Sequence, residues 1–213
     1  MPTPVRGRPL RVLCLGAHGD DIEIGCGGTL LTWLETLPKL EVTWVVLSAA
    51  AERGREVQRG ARVLLRRAAA ARLELGPFRD GFMQAQYVEV KEFFERLKLD
   101  IDPDIILTHR LEDRHQDHRL TAELTWNTWR NHLVLEYEIM KYEGDLGQPN
   151  AYVHVAGALA RRKAVHLQRH YGSQRSKAWF AADNFLGLMR LRGLECRAAS
   201  GFAEAFHARK FIL

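Results

Sequence analysis

The sequence predicts a three-layer α/β/α fold, Rossmann-like, in which a mainly parallel sheet lies between two layers of helices. Three short apolar runs have the length and continuity that are typical of strands buried on both faces. Segments with apolar residues at helical spacing lie between these runs. Strands that alternate with helices indicate a parallel sheet that is covered by helices.

The strands are predicted from their apolar runs. Residues 10–17 (LRVLCLGA), 42–48 (VTWVVLS) and 104–109 (DIILTH) are the three continuous runs, and the third begins after Pro103. Residues 133–139 (LVLEYEI) have an alternating character and predict a further strand.

The helices are predicted from apolar spacing and from alanine and leucine content. The predicted helices cover residues 29–37, 53–71, 88–99, 158–170 and 176–192, and a further one follows His118. Internal repeats, low-complexity segments and linkers are absent from the sequence. We therefore expect one domain over residues 1–213, which is long enough for one sizeable core.

Composition limits the classes of partner. The 31 basic and 26 acidic residues give a net charge of +5. Many arginines fall at helical spacing, which indicates a solvated helix face, so we do not expect nucleic-acid binding. Three cysteines without a C-x-x-C pair argue against a disulfide framework. Because no apolar stretch approaches the roughly 20 residues of a membrane span and no apolar signal core precedes the first strand, we expect a cytoplasmic protein.

A polar cluster follows the first predicted strand, in residues 16–28 (GAHGDDIEIGCGG). His18, Asp20 and Asp21 lie where ligands bind in open α/β sheets, at the carboxyl end of a strand. Aspartate and neutral imidazole are ligands for divalent metals. One aspartate could instead cap the next helix, and the glycines could form a dinucleotide loop. The full G-x-G-x-x-G is absent, however, and this segment alone leaves a metal site and a structural role open.

A second polar cluster follows the third predicted strand, in residues 109–118 (HRLEDRHQDH). The ends of parallel strands meet at one edge of a sheet, so we expect the two clusters to converge. His115, Asp117 and His118 are typical of a metal ligand beside a carboxylate–histidine pair. A solvated loop with Asp117 as a helix cap is the alternative, and the two clusters together favour the metal site.

The two clusters resemble the signature motifs of the LmbE-like (PIG-L) N-deacetylases. Residues 17–29 are similar to the family's AHPDD-x-E-I-G-x-G-G-T signature, and residues 112–118 are similar to its second motif with an H-x-D-H core. Weaker similarities are found at Arg53, Glu56, Lys163 and residues 170–174 and 204–206. The resemblance covers almost the whole chain and implies an LmbE-like fold. Family members are zinc enzymes that remove acetyl groups from N-acetylglucosamine-type sugars.

The resemblance also implies roles for individual residues. It implies that His18, Asp21 and His118 bind Zn²⁺ or another divalent metal, which leaves a position for water and the substrate carbonyl. Asp20 is then the general base that takes the proton of the water. His115 would stabilise the oxyanion or protonate the leaving amine, and Asp117 would hold its ring.

Substrate contacts are predicted for two further residues. Arg53 is expected to contact a substrate hydroxyl or the departing acetate, with a surface helix arginine as the alternative. Asp80, in FRDGF, is expected to reach the site, although Asp-Gly also favours a simple turn. The roles of Glu23 and His109 stay open. Gly19 replaces the family's proline, and we expect at most a less rigid site there.

The predicted activity is metal-dependent removal of the N-acetyl group from an N-acetylglucosamine-type sugar or conjugate through a metal-activated water. The expected partner is therefore a small amino-sugar substrate, and a homo-oligomer is compatible with the sequence because family members often assemble. One alternative is an amidase that cleaves a larger acyl group from a sugar conjugate. A different class of alternative is a non-catalytic nucleotide-binding protein on a Rossmann-like scaffold.

Overall fold

A computed structural model of the chain describes residues 8–37, 39–49 and 51–211. The strands of the described part are β1 (Leu10–Gly16), β2 (Leu40–Val46), β3 (Ala70–Leu75), β4 (Ile105–Thr108), β5 (Leu133–Tyr137), β6 (Ala151–His154) and β7 (Ala203–Ala208). The α-helices there are α1 (Asp21–Thr36), α2 (Ala51–Leu64), α3 (Tyr87–Asp100), α4 (Gln116–Thr128), α5 (Gly157–His170) and α6 (Ala182–Glu195). Short 3₁₀ turns lie at Met83–Gln86 and Gly172–Gln174.

The strands form one sheet in the order β3-β2-β1-β4-β5-β7-β6. Strands β1 to β5 run parallel, whereas β7 pairs antiparallel with both β5 and β6. β1 lies between β2 and β4, with Cys14 in register with Trp44 on one side and Leu107 on the other. The chain segments that follow β1 and β4 therefore leave the sheet side by side, which brings the two polar clusters together.

The apolar core has two parts, one on each face of the sheet. Val12 and Cys14 of β1 pack into the larger part with apolar residues of α1, α2, α5 and α6. Leu13 and Leu15, which alternate with them, pack into the second part with residues of α3 and α4. Because successive side chains of a strand point to opposite faces, this division confirms the three-layer α/β/α fold with a mainly parallel sheet.

The predicted helix over residues 53–71 is wrong in its second half. Helix α2 ends at Leu64, and Ala70–Leu75 form β3, the edge strand of the sheet. The first half of β3 is exposed, so its sequence, AARLEL, lacks the apolar run of a central strand. Its pairing with β2 over six residues makes it a strand, and local spacing does not reveal that pairing.

Two more elements differ from the prediction. The segment at residues 176–181 is not helical, and α6 covers Ala182–Glu195. Strands β6 and β7 were not predicted, because each is short and pairs with a partner that is distant in sequence. Among the described residues, the helices are too short or too polar to cross a bilayer.

Candidate metal centre

Helix α1, which carries the first cluster, is broken at Cys26, where the backbone angles are non-helical (φ −143°, ψ 15°). The N–H groups of residues 28–29 donate to Glu204 at 2.8 and 2.6 Å. Lys163 Nζ donates to the Ile24 carbonyl at 2.5 Å and to Glu204 Oε1 at 2.6 Å. The positive charge thus lies at the carboxyl end of the first segment and the negative charge at the amino end of the second, as the helix dipoles favour. The glycines at positions 25, 27 and 28 therefore lie inside the helix, which begins at Asp21 and not at residue 29 as predicted.

Two glycines near the site permit close approaches. A Cβ on Gly25 would lie 2.2 Å from Cδ2 of Tyr137, whose hydroxyl donates to the Leu15 carbonyl at 2.6 Å. A Cβ on Gly19 would lie 2.9 Å from Cγ2 of Val57 in α2. The β-carbon of any other residue at position 19, proline included, would therefore meet α2.

The three predicted metal ligands lie together at the ends of β1 and β4. His18 Nδ1 is 3.2 Å from His118 Nε2 and 3.4 Å from Asp21 Oδ2, and the last two atoms are 3.5 Å apart. All three side chains are buried. A tetrahedral metal bound at about 2.0–2.2 Å separates its ligand atoms by roughly 3.3–3.6 Å. The spacing of these three atoms therefore fits a zinc-sized ion.

Neighbouring carboxylates fix which nitrogen of each ring faces this point. His18 Nε2 is 3.2 Å from Asp117 Oδ2 and 3.1 Å from Asp80 Oδ1. His118 Nδ1 is 3.0 Å from Asp113 Oδ2. Because carboxylates accept hydrogen bonds, these ring nitrogens carry the protons in the neutral rings. Each ring then presents its other nitrogen, a lone pair, toward Asp21, and such a set of donor atoms suits a cation.

The electrostatics of His18 agree with a preference for positive charge at this point. Burial acts to lower the pKa of His18, but the charge of Asp21 and the hydrogen bonds to Asp117 and Asp80 outweigh it and raise that pKa well above its ordinary value. For His118 the balance is opposite, since burial and the neighbouring His109 lower its pKa to about 4. His118 is therefore neutral, as a metal ligand must be, over most of the pH range.

The other two histidines of the cluster, His109 and His115, each accept a backbone N–H with one ring nitrogen, and that nitrogen of His109 also lies 3.1 Å from Asp21 Oδ2. His109 Nε2 accepts the Ala17 N–H at 2.9 Å, and its ring stacks on that of His118 with centroids 3.9 Å apart. His109 therefore supports the floor of the site and holds the loop after β1. His115 Nδ1 accepts the Asp117 N–H at 3.3 Å, so its neutral ring carries the proton on Nε2. Burial, together with the charge on His18, lowers the pKa of His115.

Asp20 differs from its neighbour Asp21. Its Oδ1 accepts a hydrogen bond from Arg53 at 2.8 Å, whereas its buried Oδ2 has no hydrogen-bond partner within the described part of the chain. Burial raises the pKa of Asp20, Arg53 opposes that shift, and the charge of Asp21 adds to it. Asp20 is therefore a carboxylate with one fixed and one free oxygen, which is suited to accept a proton.

The role predicted for Asp117 is wrong, because its carboxylate does not hold the ring of His115. Asp117 Oδ2 contacts His18 and accepts the Gly81 N–H at 2.6 Å, and its Oδ1 accepts the Met83 N–H at 3.3 Å. His115 is the N-cap of α4, and residues two apart at the start of a helix do not face each other. Asp117 thus orients His18 and fastens the loop after β3 to the site.

The two predicted substrate residues both lie at the site. Asp80 contacts His18 and is otherwise exposed, and that hydrogen bond lowers the pKa of Asp80 to about 2. Arg53 is partly buried, and its ion pair with Asp20 distinguishes it from a free surface arginine. Both residues line a pocket of about 190 Å³ that contains the three predicted ligands.

The pocket wall also includes residues for which the sequence predicts no role at the site. The polar and aromatic ones are Lys141, Tyr142, Glu143, Gln174, Lys177 and Trp179. The first three follow β5, which pairs with β4, so the rule that located the two clusters at strand ends could have located these as well. The other three lie between α5 and α6, and their place at the pocket follows only from the tertiary structure.

Two acidic residues of the motifs have structural contacts. Glu23 is fully buried and accepts a hydrogen bond from the Tyr171 hydroxyl. Glu56 accepts the Ser173 N–H at 3.0 Å and the Ser173 hydroxyl at 2.6 Å. These contacts connect α1 and α2 to residues 170–174. The contact of Glu23 is therefore one that holds parts of the fold together.

A sequence model described as "PIG-L: GlcNAc-PI de-N-acetylase" matches residues 13–129, more than half of the chain. The chain belongs to this family. The match includes both polar clusters, as the resemblance of their motifs predicted.

Solved structures with the same fold include enzymes of more than one kind. N,N'-diacetylchitobiose deacetylase from Pyrococcus horikoshii is 18% identical, with a TM-score of 0.68 over 93% of this chain and 83% of that one. A zinc-inhibited form of teicoplanin deacetylase is 14% identical, with a TM-score of 0.74 over 93% and 97%. The hydratase GalB from Pseudomonas putida is 16% identical, with a TM-score of 0.71 over 96% and 98%. These likenesses show the shared fold, and the reaction has to be argued from the site.

Proposed function

We propose that the protein is a metal-dependent deacetylase that removes the N-acetyl group from an N-acetylglucosamine-type sugar or sugar conjugate. The observation that carries this proposal is the convergence of His18 Nδ1, Asp21 Oδ2 and His118 Nε2 in an open pocket that also holds Asp20. The family description and the deacetylases among the similar folds support the choice of reaction.

His18, Asp21 and His118 are the residues that would hold zinc or another divalent ion. When bound, such an ion polarises an amide carbonyl and makes a water molecule more acidic. Asp20 accepts the proton of the attacking water on its free Oδ2, while Arg53 keeps the other oxygen in place.

His115 acts on the other side of the reacting amide in this proposal. Its Nε2 proton is available to the developing oxyanion or to the departing amine, because Nδ1 is engaged by a backbone N–H. Its lowered pKa keeps the ring neutral near pH 7, so it acts first as a hydrogen-bond donor. Arg53 and Asp80, on the pocket wall, contact the sugar hydroxyls.

The test combines metal analysis with an amine-release assay on N-acetylglucosamine and its conjugates. We expect a bound divalent metal or tight binding of added zinc, and activity that a chelator removes. In Asp20→Asn, we expect turnover to fall by roughly 10²–10⁴-fold while the metal content stays the same. Asp183→Asn, which changes an exposed aspartate of α6, is the matched control.

Three results would contradict the proposal or part of it. Failure of the wild-type protein to bind any divalent metal would rule out the metal-dependent reaction. Release of a longer acyl group in preference to acetate would favour an amidase. Loss of the metal in Asp20→Asn would mean that the roles of Asp20 and Asp21 are exchanged.

A further inference from the structure

Lys141 is a partly buried lysine on the pocket wall beside the candidate metal centre. Its side chain is 9% exposed. The ammonium donates to Asp113 Oδ2 at 3.0 Å, to both carboxylate oxygens of Asp145 at 2.7 Å and to the Ile139 carbonyl at 3.3 Å. An ammonium has three protons, so these acceptors engage all of them. Lys141 is therefore held in one position and acts through its neighbours.

One of those neighbours orients a predicted metal ligand. The same oxygen of Asp113 that accepts from Lys141 also accepts from His118 Nδ1 at 3.0 Å. The second oxygen of Asp113 accepts the His115 N–H at 2.8 Å. Asp113 is itself buried, with 3% of its surface exposed. Without Lys141, this buried carboxylate loses the only ammonium that contacts it in the described structure.

The other neighbour fixes the loop after β5. Asp145 accepts the Arg114 N–H at 2.6 Å through its side chain, and its carbonyl accepts from Arg110 at 2.9 Å. Between Lys141 and Asp145 lie Tyr142 and Glu143, which line the pocket. The Lys141 ammonium thus connects Asp113, which contacts His118, to the part of the pocket wall that faces a substrate.

We propose that Lys141 is a positioning residue that sets the metal affinity of the site through Asp113 and His118 and, through Asp145, the placement of the substrate-facing wall. This inference rests on the proposed metal-dependent function. Carboxylates that orient a metal-bound histidine typically change metal affinity by 10–100-fold when altered. Lys141 contacts such a carboxylate and not the histidine itself. We therefore expect the loss of metal affinity on removing Lys141 to lie near the lower end of that 10–100-fold range.

The experiment compares Lys141→Met with Lys177→Met. Both lysines line the pocket, but Lys177 is exposed, and its ammonium lies 5.6 Å from the centroid of the Trp179 ring. Zinc affinity is measured by competition with a chromophoric chelator on the full chain. We expect Lys141→Met to bind zinc about tenfold more weakly and Lys177→Met to stay within about twofold of wild type. Lys141→Gln, which keeps a donor without the charge, is expected to lie between them and serves if Lys141→Met does not fold.

Steady-state kinetics at saturating zinc separate the second role. We expect the turnover number of Lys141→Met to recover there, because its metal site is filled, while KM for an N-acetyl sugar conjugate stays raised about three- to tenfold. The role of Lys141 in metal affinity would be overturned if Lys141→Met and Lys141→Gln both bound zinc as tightly as wild type. It would also be overturned if Lys177→Met lost as much zinc affinity as Lys141→Met. An unchanged KM would overturn the wall role. Wild-type protein that binds no zinc would overturn the proposed function and this inference together.

Discussion

The ion pair at the break in α1 allows a quantitative prediction. Lys163 and Glu204 are 4% and 3% exposed, and their charged atoms lie 2.6 Å apart. Lys163→Met removes the ammonium and leaves the carboxylate buried with its two backbone N–H donors. Breaking a buried pair in this way costs about 3–5 kcal/mol. For a chain of this length each kcal/mol lowers Tm by roughly 2–4 °C, so we expect a loss of roughly 6–20 °C.

The free energy of unfolding is measured in urea and Tm by thermal unfolding, both on the metal-free protein, so that metal binding does not add to the apparent stability. Glu204→Gln is expected to be destabilising too, because it leaves the ammonium of Lys163 without its anion. The double variant removes both charges, and its loss should be smaller than the sum of the single losses by about 1–3 kcal/mol. Exposed Lys177→Met should stay within about 0.5 kcal/mol of wild type. If the free energy of unfolding of Lys163→Met were within about 1 kcal/mol of the wild-type value, the reasoning would be refuted.

Three more predictions follow from the same region. Gly25→Ala places a Cβ 2.2 Å from Tyr137 and should cost at least about 1–3 kcal/mol, whereas Gly27→Ala, with no contact closer than 3.6 Å, should be neutral or slightly stabilising in thermal unfolding. Gly19→Pro should lower Tm because its Cβ meets α2 at 2.9 Å, and a raised Tm would contradict this. Zinc binding should release about one proton near pH 7 because the raised pKa leaves His18 protonated in the metal-free protein. The zinc affinity should then rise with pH up to the pKa of His18. A released proton is taken up by the buffer, so equal heats of zinc binding in buffers of different ionisation enthalpy would contradict the prediction.

Much of the fold was predictable because the local sequence of its central strands already indicates that they are buried. Residues 10–17, 42–48 and 104–109 are mostly apolar, since helices cover both faces of the sheet there. The edge strand β3 and the short β6 lack that signal, because neither is covered on all sides and each becomes a strand only by pairing.

The candidate ligands were also predictable as a group, because their position depends on a local rule. Each polar cluster follows a strand directly, and β1 and β4 are neighbours in a parallel sheet. The metal and the role of each ligand stay predictions until metal is measured. The predicted partner of Asp117 is wrong because residues two apart at the start of a helix do not face each other, and helix geometry directs Asp117 toward His18.

The sequence by itself determined the layer order of the fold and the chemistry of the donor atoms at the sheet edge. Only the tertiary structure decided which carboxylate meets which histidine, and so which ring nitrogen faces the site. The same holds for Lys141 behind Asp113 and for Lys163 at the break in α1, where the partners are 28 and 41 residues apart. Apolar periodicity is a property of the local sequence of one element, whereas the partner of a buried charge comes from elements distant in sequence that pack against it.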